Sequence, residues 1–197
     1  MKYKNLTVSQ KGLSLIESAM VLAISAVIVS GVLYYYNHAQ ENRKLEEGIK
    51  QIQTIAASVN KLYTNSVTPP TGGVNGVVEA ISVISGIPTT MVGGTKMLTT
   101  PSGQWVEFWA GQNNTYVLEM QVQSVSSCIS YATLNMGTIM AGKTQVLVGK
   151  TNHVNNNGNS NSSTNFSLSP SVASDACEKA EKNKNGNNIK VRYTLSY

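Results

Sequence analysis

Hydrophobic and polar positions divide this chain into three regimes. From Leu13 to Tyr36 it reads LSLIESAMVLAISAVIVSGVLYYY, with no charged residue between Glu17 and Glu41. As a helix, these 24 residues would extend roughly 36 Å, enough to cross a bilayer core of about 30 Å. Tyr34, Tyr35 and Tyr36 close the run where an aromatic interfacial belt belongs. No proline occurs between Leu13 and Thr68, so the helix is expected to continue. There the pattern changes to a stripe. Leu45, Ile49, Ile52, Ile55, Ala56, Val59, Leu62 and Tyr63 recur at three- and four-residue steps, with Arg43, Lys44, Glu47 and Lys50 around the remaining surface. Thr68-Pro69-Pro70-Thr71-Gly72-Gly73 ends it.

The third regime is a head of short elements. Val77, Val78, Ala80, Ile81 and Ile84 predict a helix stopped by Gly86 and Pro88. Gln104 to Trp109 is a short aromatic strand. Tyr116, Leu118, Met120 and Val122 alternate with Val117, Glu119, Gln121 and Gln123, the period of a half-buried strand. Gln145 to Val148 is a weaker one. Ser169-Pro170 followed by Val172 to Ala180 reads as a capped helix with proline in its first turn. After the turn Asn185-Gly186, Ile189, Val191, Tyr193, Leu195 and Tyr197 alternate with Lys190, Arg192, Thr194 and Ser196. The expected architecture is α+β, a long N-terminal helix packed on an antiparallel sheet. Its organisation is a basic N-terminal segment 1–12, an apolar half-helix 13–36, an amphipathic half-helix 37–67 and a head 68–197.

Charge adds a topology. The net charge is +5, but Lys2, Lys4 and Lys11 precede the apolar run and only +2 remains beyond it. Arginine occurs just as Arg43 and Arg192, so a basic stripe for nucleic acid is not expected. The basic leader instead keeps the N-terminus cytoplasmic and places the bulk of the chain outside the cytoplasm. The apolar run is too long for a secretory signal peptide, and no small-x-small site closes it before the tyrosines.

Candidate chemistry is sparse. Two histidines, His38 and His153, and two cysteines leave no zinc site of four cysteines, no paired Cys/His finger and no HExxH helix, and neither metal nor cofactor is expected. Cys128 and Cys177 stand 49 positions apart in an extracytoplasmic head, where a disulfide is the expectation. Two buried thiols or a redox pair are the alternatives, the latter without CxxC spacing. An anchored periplasmic enzyme would need a nucleophile and a base. There is no GxSxG and no evident carboxylate pair among Glu79, Glu107, Glu119 and Asp175. Ser58 and Lys61 have SxxK spacing without companion SDN or KTG motifs. Trp105 and Trp109 fit core or interface anchors equally. His153 falls in the Asn-rich stretch 152–165, a solvated loop or else a variable recognition surface.

Glu17 is the odd residue. A carboxylate near the start of a spanning helix costs about 2–3 kcal/mol at depth. It either snorkels to the interface beside the helix N-terminus, or it awaits a positive partner from another molecule.

Lys11-Gly12-Leu13-Ser14-Leu15-Ile16-Glu17-Ser18 resembles the processing site of type IV prepilins: basic leader, Gly, apolar residue, then Glu, then the apolar run. The segment Cys128-Ile-Ser-Tyr-Ala-Thr-Leu-Asn-Met-Gly-Thr138 and the Pro170 to Cys177 helix resemble the disulfide region of the bundlin group of type IVb pilins. The chain departs from the family pattern in lacking a helix-kinking proline and in its 12-residue leader, short for a type IVb protein. The resemblance implies cleavage by a prepilin peptidase between Gly12 and Leu13, N-methylation of Leu13, and pairing of Glu17 with the N-terminal amine of a neighbouring subunit. It implies a head stapled by Cys128–Cys177. Its partners would be further copies of itself in a helical fibre, an inner-membrane platform with its ATPase, and an outer-membrane secretin. The subunit would rest in the inner membrane with its head periplasmic, then enter an extracellular pilus for adhesion and aggregation. A minor pilin or a type II secretion pseudopilin would share the same N-terminus.

Overall fold

The computed structural model describes residues 14–64, 72–154 and 166–197. Gly12, Leu13 and most of the Asn-rich stretch therefore lie outside the described residues. Helix α1 runs unbroken from Leu15 to Thr64, 50 residues, as the absence of proline predicts. Two compact units divide between Arg43 and Lys44.

In the second unit the predicted stripe is the buried one. Ile52, Ile55, Ala56 and Val59 are at most 1% exposed, and they share one core with the sheet. α2 (Gly73–Ser85) contributes Val77, Val78 and Ile81 to the same core. Seven strands follow: β1 (Thr89–Val92), β2 (Thr95–Thr99), β3 (Trp105–Ala110), β4 (Thr115–Val122), β5 (Gln145–Val148), β6 (Thr151–Asn152) and β7 (Ile189–Ser196). They form one sheet in the order β1-β2-β3-β4-β7-β5-β6 with every pairing antiparallel.

Register follows the apolar alternation, because a slip of one residue would turn each side chain to the wrong face. Leu118 lies opposite both Phe108 and Tyr193, and Met120 opposite Val106 and Val191. Val146 continues the second row beside Val191. All are buried on the inner face. Tyr197 stacks on Tyr63 of α1 at 4.3 Å between ring centroids, fastening the end of β7 to the helix.

The Gly93-Gly94 turn between β1 and β2 has φ of 57° and 86°, a tight reversal that a side chain resists. Two helices complete the head, α3 (Val125–Ala132) and α4 (Pro170–Lys182), with a short 3-10 turn at Gly137–Ile139. Ser124 caps α3 by accepting the Ser127 N–H at 3.2 Å. Ser169, expected to cap α4, makes no such bond; its hydroxyl meets that of Ser171 instead, and Pro170 opens the helix. Cys128 and Cys177 join α3 to α4 with Cα atoms 5.9 Å apart, and both are fully buried.

Tyr131 ties the disulfide region to the rest of the head. Its carbonyl accepts the Tyr193 hydroxyl at 2.7 Å, and burial pushes its own phenol up to about 12. The ring lies against Gly48 of α1, where an added Cβ would stand 2.0 Å from Oη. In an open helix, Gly→Ala would gain about 1 kcal/mol. At position 48 it should instead cost about 1–3 kcal/mol, because the buried ring has no room to retreat. Adding Tyr131→Phe, which removes the clashing oxygen, should recover most of the loss in thermal melting. A Gly48→Ala variant at least as stable as the parent would refute the contact.

Candidate functional site

Two surfaces stand out, one in each compact unit. In the first, α1 presents Leu15, Ile16, Met20, Val21, Leu22, Ile24, Val27 and Ile28 at 60–90% exposure. The most apolar 18-residue window has a mean hydropathy of 2.2 and is unburied. A surface so greasy requires a cover. Ser25 and Ser30 do not break it, since each hydroxyl donates to a carbonyl one turn back, at 2.7 Å to Val21 and to Ala26.

Glu17 sits at the start of this helix in a capping box with Ser14. The Ser14 N–H donates to Glu17 Oε2 at 2.8 Å, and the Glu17 N–H donates to Ser14 Oγ at 3.4 Å. The carboxylate thus satisfies one of the donors that the first helical turn leaves open and lies at the positive end of the helix dipole. One of its oxygens accepts a bond within the chain, and Glu17 forms no ion pair among the described residues. The Ser-x-x-Glu spacing is the sequence signal of this capping box, a specific bond that placing Glu17 beside the helix N-terminus does not by itself include.

The second surface is the outer face of the sheet, opposite the core. Glu119, 2% exposed, sits at its centre on β4. It accepts from Lys190 Nζ at 2.7 Å on one oxygen, and from Arg192 Nε at 2.7 Å and Nη2 at 2.5 Å on the other. Two cations on one carboxylate make its burial tolerable. Each cation also covers an indole: Lys190 lies 5.1 Å from the Trp105 ring centre, and Arg192 5.1 Å from that of Trp109. Trp105 and Trp109 are therefore outer-face residues, half-buried beneath charge, and not members of the core.

Beside this network the sheet opens. β2 and β3 pair only through Leu98–Val106 and Thr99–Trp105, and toward Thr95 they part. Asn75 of α2 bonds the departing strand, its Oδ1 accepting the Lys96 N–H at 2.8 Å and its Nδ2 donating to the Gly94 carbonyl at 3.4 Å. The gap is a cleft of about 350 Å³ lined by Val74, Asn75, Thr95, Glu107 and Trp109, among others. Nothing in the sequence pattern announced it, because it arises where two paired strands separate.

The residues weighed for catalysis do not converge. Ser58 donates its hydroxyl to the Thr54 carbonyl at 2.8 Å within α1. Glu79 pairs with Lys96, and Asp175 with Lys179. Glu119 is consumed by its two cations. His38 is exposed, and the His153 N–H donates to the Val146 carbonyl at 2.8 Å, extending the β5 side of the sheet.

Known proteins place this architecture. The family model described as Bundlin matches residues 37–196. The chain is 33% identical over 179 residues to the "Major structural subunit of bundle-forming pilus" of Escherichia coli O111:H-, covering 87% of this chain and 90% of that protein. The protein of the same description from Escherichia coli O127:H6 (strain E2348/69 / EPEC) matches at the same identity and coverage. Among solved structures, the type IV b pilin from Salmonella typhi superposes with a TM-score of 0.52 at 16% identity, over 76% of this chain and 98% of that one. The long helix, antiparallel sheet and single described disulfide agree with that fold. With a family match over residues 37–196 and a third of the aligned residues shared with two pilus subunits, this chain belongs to the bundlin family.

Proposed function

We propose that the chain is the major structural subunit of a bundle-forming type IVb pilus, polymerised through the apolar half of α1. The observation that carries this reading is the unburied stretch from Leu15 to Tyr36 joined in one helix to a well-packed head. Such a surface has two natural covers, lipid before assembly and copies of itself afterwards. If neighbours hide about 1,000 Å² of it, the gross term relative to water is roughly 25 kcal/mol per subunit. Relative to lipid most of that vanishes, since lipid already covers the helix. Extraction must then be driven from outside, which fits a cytoplasmic ATPase acting through a membrane platform, with the fibre leaving through a secretin.

In this reading a prepilin peptidase cuts between Gly12 and Leu13 and methylates the amine of Leu13. The new N-terminus is a cation within reach of a neighbour's Glu17, and a matched pair in low dielectric fixes axial register more than it adds stability. The chain acts as a building unit and not as an enzyme, its surface serving adhesion and aggregation once outside the cell.

Mass spectrometry of sheared surface fibres tests this. The expected result is a dominant chain beginning at N-methylated Leu13. A chain that starts at Met1, or one absent from the sheared fraction, would overturn it. A trace amount in fibres built mainly of another pilin would assign it the minor-pilin role.

A further inference from the structure

We propose that the free edge of β1 pairs with the β1 of a second copy of this chain in a neighbouring fibre, antiparallel and in register at Thr90. This rests on the subunit reading above.

The edge is open, and its pattern is complementary to itself. β1 and β6 are the two margins of the described sheet. Gly93 and Gly94 make a two-residue reversal in which Val92 pairs with Thr95, so Val92 and Thr90 turn their N–H and C=O groups toward β2. The Thr99 N–H donates to the Pro88 carbonyl at 2.9 Å, which keeps the same phase at the far end. Thr89 and Met91 therefore direct their backbone groups outward, where no described strand lies. Laid against a second β1 about a two-fold axis at Thr90, these groups are satisfied. Thr89 exchanges its bonds with Met91 of the second copy, and Met91 with Thr89. Thr90 then faces Thr90, a favourable cross-strand pair. β6, two residues long and preceded by Lys150, offers no such run.

The surface around this edge calls for a neutral partner. Val74, Val83 and Ile84 of α2 and Met91 and Val92 of β1 are exposed, and the only other large apolar side chain so exposed among the described residues 44–197 is Val172. The polar side chains of α2 are already engaged within the chain. Asn75 bonds the Lys96 N–H and the Gly94 carbonyl, Glu79 pairs with Lys96, and the Ser82 and Ser85 hydroxyls donate to the Ile87 and Ile81 carbonyls. What α2 offers outward is thus mainly apolar. β1 carries neither a charge nor a proline, the usual guards of an exposed edge. Met91 stands opposite Lys96, on the face that carries α2, so the pairing sets it beside the second copy's Thr89 on that same face.

Symmetry says where the second copy sits. Pairing β1 with β1 is isologous and closes on itself. Subunits polymerised through one helix all point the same way along a fibre, and no two-fold axis relates them. The second copy therefore belongs to another fibre, running in the opposite direction. Four residues make a weak joint alone, and repetition along two fibres makes it avid.

The test uses full chains expressed with their assembly machinery. Thr90→Lys and Thr90→Glu each place like charges face to face across the joint, at a position exposed in the single subunit. Sheared fibre yield, bundling by electron microscopy and the melting midpoint of the subunit are measured beside the parent. The expected result is fibre yield within twofold of the parent, an unchanged melting midpoint, and bundles at least tenfold rarer for either variant alone. Mixing fibres of the two restores bundles, since opposite charges then meet. In bundles of Thr90→Cys, mild oxidation links subunits in pairs through position 90, and in dispersed fibres it does not. Parent-like bundling by either charged variant overturns the proposal, as does a mixture that stays dispersed, or a failure to link at position 90 within intact bundles. A link formed in dispersed fibres, or to a different protein, overturns it by naming another occupant. Loss of fibres in both charged variants would overturn it by placing the edge in subunit packing, and parent fibres that never bundle would remove the joint altogether. A parent chain that forms no fibre at all would overturn the subunit reading first.

Discussion

Replacing Cys128 and Cys177 together with alanine should lower the stability of the head by about 4 kcal/mol, the chain-entropy value for a cross-link spanning 49 positions. Domains of this size hold only about 5–15 kcal/mol in total, so the loss is a large fraction of the whole. Its structural route is specific. α3 is eight residues long with three serines, and a helix so short does not persist alone. The disulfide holds it to α4. Without that bond, Tyr131 would be expected to withdraw from Gly48 and from the Tyr193 hydroxyl, opening the inner face beside β7. Urea unfolding of the detergent-solubilised chain, oxidised parent against double variant, measures this directly. A difference below about 1 kcal/mol would mean that packing of Ala132, Ala173, Ala176 and Ala180, all buried, already fixes the two helices.

Glu17 carries the second large effect, and two substitutions separate its two roles. Glu17→Ala removes both the charge and the bond to the Ser14 N–H. Glu17→Gln keeps a carbonyl that can accept that N–H but offers no charge to a neighbour's amine. If register depends on the ion pair, both variants are cleaved normally and neither makes fibres. Breaking a buried pair costs about 3–5 kcal/mol at each contact, or on the order of 10²–10⁴-fold in assembly equilibrium. If the capping box is what matters, glutamine restores fibres and alanine does not, and the loss with alanine is nearer 1 kcal/mol. Sheared pilus yield with immunoblotting for the cleaved subunit distinguishes the cases. Wild-type fibre yield from Glu17→Gln would retire the pairing role.

Much of the fold was legible because its signals are local and periodic. The stripe from Leu45 to Tyr63 and the alternations of β4 and β7 state their own faces, and the structure buries those faces. The β1–β2 hairpin was missed although Gly93-Gly94 marks its turn. Its strands are Thr-rich, and β1 lies at the sheet edge and is mostly exposed, so burial wrote no clean alternation there. α3 was missed for a different reason. Val125-Ser-Ser-Cys-Ile-Ser-Tyr-Ala132 has poor helix formers, and its helicity depends on the Ser124 cap, the disulfide and tertiary contact. The placement of Trp105 and Trp109 required knowing that Lys190 and Arg192, more than eighty positions later, come to lie over them. The cleft is further still from sequence, being defined by where β2 leaves β3.

The sheet order has a consequence for biogenesis. β7 is the last of the described strands to be synthesised, yet it fills an interior position between β4 and β5. If the apolar half of α1 enters the bilayer first, as proposed, the head crosses afterwards from its front end. Until residues 189–196 emerge, β4 keeps an eight-residue open margin and β5 has no central neighbour. Closure is then a single late event with long-range pairings, the kind of step that is slow and exposed to aggregation. If the head is exported as proposed, an oxidant that joins Cys128 to Cys177 during that interval would act on a sheet still lacking β7.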